Sequence, residues 1–157
     1  MYALIPLLLL AATWAQAQPL TLPTDTDLKT AYCLKIRQSQ YDYLNSMIGG
    51  EPQESPAYAK VQKILREAYA DVNRIRSYLL PRMQSLDPTG LIAAARRAEA
   101  DWAELSNVTE VCTSKCRGFL QGALPSEKWS ACVDSCRNDY SVVQRTDACK
   151  VVNWLPF

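Results

Sequence analysis

Histidine does not occur anywhere in the 157 residues, which removes the commonest general base and the commonest metal ligand together. Strand signals are nearly missing: helical spacing of apolar residues dominates the chain. The five glycines form no loop of the kind that cradles phosphates. No apolar run reaches the roughly 20 residues that cross a bilayer as a helix. Charge of one sign is not in excess either, with 17 basic and 16 acidic residues giving a formal +1. Its distribution is uneven, because residues 60–97 hold eight basic and three acidic side chains while each flank is net −2. A nucleic-acid binder carries a far stronger bias, so no nucleic-acid partner is expected. The basic stretch, with Arg74 and Arg76, reads as a solvated helix face on which a partner can dock.

What is present begins with an apolar run over residues 3–12, followed by Ala15 and Ala17 in the A-x-A pattern of a signal-peptidase site. The expectation is a cleaved signal peptide over 1–17, although its start carries no Lys or Arg. No cysteine follows the cleavage point, so no lipid attachment is expected. The mature chain then begins at Gln18 and forms one domain, 18–157, in the periplasm or outside the cell, with no transmembrane anchor left after cleavage.

Four helices are expected. The first carries Leu28, Tyr32, Ile36, Tyr43 and Met47 at helical spacing, with Asp25 or Asp27 placed to cap it and Gly49-Gly50 to stop it in the left-handed conformation. Ser55-Pro56 is a cap followed by a first-turn proline. Behind it Tyr58, Val61, Leu65, Ala68, Val72, Ile75 and Leu79 recur in steps of three and four, the seam of packed helices. Ile64 and Tyr78 widen that face as a bundle requires, and Pro81 ends or kinks the helix. Asp87-Pro88 repeats the start signal for a third row: Leu91, Ala95, Ala98, Trp102, Leu105, Cys112, Cys116 and Phe119. Tyr58 and Trp102 are read as core. Asn107 with Glu110 resembles an internal capping box at which this helix can break; Asn107 also opens a glycosylation sequon. A turn centred on Gly122 leads to a fourth helix capped by Ser126 and carrying Trp129, Cys132, Cys136, Tyr140 and Val143. The tail after Thr146 holds Val151, Val152, Trp154, Leu155 and Phe157, an apolar end that either packs over the bundle or docks a partner.

The six cysteines carry most of the information. Cys112-x3-Cys116 and Cys132-x3-Cys136 put each pair of sulfurs on one helix face. Neighbours at that spacing lie about 5–6 Å apart at Cβ, too far for the roughly 3.5–4.5 Å of a disulfide. In an antiparallel hairpin the axes lie about 9 Å apart, which leaves facing Cα atoms about 4.5 Å from one another. Antiparallel order nests the bridges: Cys116 with Cys132 near the turn, Cys112 with Cys136 further out. By elimination Cys33 pairs with Cys149.

Over residues 111–137 this pattern resembles the twin-CX3C hairpin of the small chaperones of the mitochondrial intermembrane space, which carry apolar membrane-protein segments. The chain departs from them in its length, its extra pair Cys33 and Cys149, and its export signal. The likeness is therefore read as convergence on one stapling geometry.

Other chemistries weigh less. Zinc held by four cysteines generally uses tighter CX2C knuckles in a reducing compartment, and no metal or other cofactor is expected. Lys115 and Arg117 are placed to lower a nearby thiol pKa, the one feature that favours redox chemistry. The acid pairs Asp101/Glu104 and Asp134/Asp139 read as solvated helix charges. The expectation is an all-α, disulfide-stapled bundle of about four helices, non-enzymatic, acting as a binding, chaperone-like or inhibitory module. Its partner is a protein or an apolar ligand, met by Trp154, Leu155 and Phe157 or by Arg74 and Arg76. A structural or assembly subunit and a thiol–disulfide redox protein are the alternatives.

Overall fold

Four of the five helix starts described below are set by side chains that accept a hydrogen bond from the otherwise unpaired first-turn N–H groups. The computed structural model describes residues 20–49, 52–120 and 126–149. The expected signal peptide, Gly50, the turn around Gly122, and the tail with Trp154, Leu155 and Phe157 lie outside the described residues. Five α-helices occur among the described residues: α1 (Asp25–Ile48), α2 (Pro56–Met83), α3 (Pro88–Lys115), α4 (Glu127–Asn138) and α5 (Ser141–Asp147). A 3-10 turn, Arg117–Phe119, follows α3. No strand longer than one bridge occurs there: Thr21 pairs with Leu86, Thr21 N donating to Ser85 O at 2.8 Å and Asp87 N to Thr21 O at 2.8 Å.

The α1 start differs from the sequence expectation. Thr24 is the cap, and Asp27 completes a capping box by accepting from the Thr24 backbone N–H. Asp25 and Asp27 therefore lie inside the first turn, where a carboxylate suits the helix dipole. At the other end Gly49 keeps a right-handed helical conformation, φ −64° and ψ −18°, rather than a left-handed one. Ser55 and Ser126 cap α2 and α4 by accepting from Tyr58 N and Trp129 N, and Asp87 caps α3 by accepting from Thr89 N. Proline occupies the first position of α2 and α3. Pro81 lies inside α2, which ends two residues later at Met83.

Two further differences concern length. The helix does not break at Asn107: α3 runs through to Lys115. Leu105, Val108 and Cys112 continue its packed face across that point, so unwinding there would strip two buried turns to satisfy one exposed cap. The expected fourth helix, by contrast, is two. Tyr140 adopts extended backbone angles, φ −99° and ψ 126°, between α4 and α5. The turn lets Val142 and Val143 face the same cluster as Val133 and Cys136.

Packing divides the apolar interior. α1 lies against both α2 and α3. Ile36, Ile75, Ala98 and the Cys33–Cys149 bridge form one core cluster, with Trp102 and Tyr78 packed against it; Ala31, Leu79, Leu86 and Leu91 form a second. Gly90 sits where an added Cβ would come within 3.0 Å of Pro23 Cγ and 3.1 Å of Leu28 Cδ2, so α3 starts hard against the entry to α1. The third cluster belongs to the far half of α3 with α4 and α5: Val108, Cys112, Cys116, Val133, Val142 and Val143. Tyr43, Met47 and Phe119, assigned to apolar rows, are about half exposed. Tyr58 and Trp102, expected as core, are partly buried.

Candidate functional site

Three disulfides fix how these helices meet. Cys112–Cys136 and Cys116–Cys132 join α3 and the turn after it to α4, with Cα–Cα distances of 5.7 and 5.9 Å. Cys33–Cys149, at 5.2 Å, returns the chain after α5 to the middle of α1. The pairs are the nested ones that an antiparallel hairpin dictates, and no free cysteine remains.

A buried carboxylate adds a polar joint at the same place. Asp101 on α3 is only 5% exposed, where the sequence reading places it in solvent. It accepts from Tyr32 Oη of α1 at 2.7 Å and from Arg145 Nε and Nη2 of α5 at 3.0 and 2.9 Å. Arg145 holds its carboxyl below the usual range, with the Tyr32 bond adding to the shift against the opposing effect of burial. Burial and the Asp101 carboxylate together push the Tyr32 phenol up. A carboxylate held ionised with three donors on it is a clamp between three helices rather than a proton donor near neutral pH. Its companion Glu104 stays half exposed, 3.8 Å from Arg145.

A cleft of about 430 Å³ lies between α1, α3 and the α4–α5 corner, within the size range of small-molecule sites. One face of α1 supplies Ile36, Arg37, Gln40, Tyr43 and Leu44; one face of α3 supplies Trp102, Leu105, Ser106 and Thr109. Arg137, Thr146 and Asp147 close it from α4 and α5. Tyr43 and Trp102 meet edge to face, ring centroids 6.4 Å apart, and offer an aromatic wall. The aliphatic hydroxyls of the lining donate within their own helices: Ser106 to Trp102 O, Thr109 to Leu105 O, Thr146 to Val142 O and Val143 O.

The guanidiniums behave differently. Arg37 is 7% exposed; its Nη1 donates to Gln40 Oε1 and its Nη2 pairs with Asp71 of α2. The Nε–H of Arg37 is buried with no partner, and so is the Nε–H of Arg137. Trp129 Nε1, in the hairpin cluster, is the third such group among the described residues. Buried donors are almost always satisfied, so two unsatisfied N–H groups on arginines that line one cleft are a specific feature. Neither arginine stands out in the sequence: each is one charge on a helix full of charges, and only the fold brings α1 and α4 to the same hollow.

Two of the docking candidates named from sequence, Arg74 and Arg76, lie elsewhere. Arg76 donates to Gln38 Oε1 of α1 at 3.2 Å, and Arg74 is exposed and engaged with another group; neither lines the cleft. Asn107 is exposed on α3. A second hollow of about 630 Å³ has a floor of Leu28, Gly90, Ala93 and Ala94 and reaches Cys149, after which the described chain stops. Among the described residues no group of three acidic or cysteine side chains is placed to hold a metal ion, and no helix is long and apolar enough to cross a membrane. Comparison with protein-family models, with curated proteins and with solved structures found no match for this chain.

Proposed function

We propose that the protein is a binding module of an oxidising compartment, periplasmic or extracellular, and that a small, largely apolar ligand seats in the cleft between α1, α3 and the α4–α5 corner. The observation that carries this reading is the cleft's composition: aromatic and aliphatic walls together with two arginines, each keeping a buried Nε–H without a protein acceptor. Sites for small ligands have this character, mostly apolar with a few polar groups that fix orientation. The compartment rests on three disulfides together with the export pattern at residues 3–17. The staples also serve binding, because walls held covalently lose less freedom when a ligand arrives.

N-phenyl-1-naphthylamine, a neutral apolar fluorophore, tests the reading. Saturable emission enhancement at one probe per chain is expected with the oxidised protein. Ser106, exposed at the rim, allows the cleft to be filled without touching the core. Ser106→Trp should abolish the saturable signal and leave the thermal midpoint where it was. A linear, unsaturable signal, or one indifferent to Ser106→Trp, would remove the cleft as a site.

A further inference from the structure

The charges around the cleft narrow the ligand class. Arg37 is balanced by Asp71. Asp147, the acidic residue of the lining, has an interaction of its own. Arg137 is the exception: among the described residues its side chain has no hydrogen bond or ion pair, and its Nε is buried. A guanidinium partly withdrawn from water with no anion bonded to it is costly to hold. Its fork of N–H groups matches a carboxylate in plane and spacing. Arg37, which lines the same cleft, also keeps an Nε–H without an acceptor.

We infer that the cleft takes a small monocarboxylate with an aryl or alkyl body, its head on Arg137 with Arg37 Nε–H adjoining and its body against Trp102, Tyr43 and Leu105. This inference rests on the binding reading above and adds the head group to it. A single negative charge suits the site, because one guanidinium is uncompensated while Asp71 and Asp147 stand close by. A dianion such as phosphate would meet those carboxylates with a second charge and gain no second free cation. The apolar walls in turn give a bare anion such as acetate little to bury.

Naphthalene-2-acetate and naphthalene-2-acetamide differ by the charge and share the body. Calorimetric titration of the full oxidised chain should find the acid on the order of tenfold tighter than the amide, the factor a charge-assisted hydrogen bond carries. In Arg137→Gln the two should bind alike, with the circular dichroism melt unchanged because Arg137 holds no other side chain. In ¹H–¹⁵N spectra the Arg37 and Arg137 Nε–H signals should move with the acid and stay with the amide. Equal binding of acid and amide by the unaltered protein, or a preference that survives in Arg137→Gln, would overturn the carboxylate assignment while the apolar site stood. Failure of the acid to bind while N-phenyl-1-naphthylamine binds would overturn it as well. Failure of all three probes would sink the binding reading itself.

Discussion

Asp27 shows what a single residue does here. Its side chain is fully buried in the first turn of α1, yet it stays ionised, because Arg82 of α2 donates to it from Nε at 2.7 Å and from Nη2 at 3.2 Å. The Arg82 bonds, helped by Thr24, pull its pKa down to about 2 against the cost of burial. A carboxylate depressed in the folded state contributes stability that is complete above its unfolded value near 4 and is lost as pH falls toward 2. The shift corresponds to an amount on the order of 2 kcal/mol. Asp27→Asn should therefore lower stability at pH 7 by about that much, and denaturant midpoints for the parent should fall between pH 5 and 2 more steeply than for the variant. Parallel pH profiles would show that Asp27 is not the linked group. Asp101 is shifted in the same direction by Arg145. Neither acid was legible as buried in the sequence, since an acid on a helix is normally solvated and nothing local marks its partner. Arg82 lies 55 positions from Asp27, and Arg145 lies 44 from Asp101.

Among the elements, most helix starts are decided locally and are legible in the sequence, whereas breaks that depend on tertiary contact are not. Ser55-Pro56, Asp87-Pro88 and Ser126 name their helix starts because cap and first turn are contiguous in the chain. Thr24 stands among acids that offer the same capping chemistry, and only the capping box it completes with Asp27 three positions on distinguishes it. The break after Asn138 escaped because Cys136, Tyr140 and Val143 keep a helical interval across it; the buried cluster they join, rather than their spacing, decides the turn. The hairpin itself was legible through its cysteines. It hangs from the far half of α3: α4 packs on α3, α5 and the 3-10 turn, while the two other core clusters draw mainly on α1, α2 and α3, with Cys149 joining one of them. Removing its outer rivet should consequently loosen one part. With Cys112→Ser/Cys136→Ser, which opens a closure 24 residues long, loop entropy predicts a loss of about 3 kcal/mol. Amide exchange in α4 should quicken on the order of a hundredfold while α1 and α2 keep their protection. Equal loss of protection in all helices would mean that the hairpin and the three-helix body unfold as one.

For the whole molecule the decisive link is Cys33–Cys149, which closes 116 residues. Both sulfurs lie in the core cluster with Ile36, Ile75 and Ala98, so the bridge joins the chain after α5 to the contact among the three long helices. Four residues before Cys149, Arg145 makes the same connection without covalency by donating to Asp101, which also accepts from Tyr32 of α1. The two links differ in where they act. The ion pair stabilises the folded state, whereas the bridge works largely by restricting the unfolded chain, an effect of about 5 kcal/mol for a closure this long in the loop-entropy model and about 2–5 for native disulfides generally. Against a typical total of about 5–15 kcal/mol, either value is a large share. Cys33→Ser/Cys149→Ser should lower the urea midpoint by several kcal/mol equivalent. Its denaturant slope should rise, because a chain freed of its longest loop exposes more surface when it unfolds. α5 should stay docked in the folded variant, held by Arg145 and by Val142 and Val143, so the far-ultraviolet spectrum below the transition should match the parent. A midpoint unchanged by the double substitution would place the stability in the packing of the long helices alone, and the closing bridge would then be a consequence of the fold rather than one of its causes.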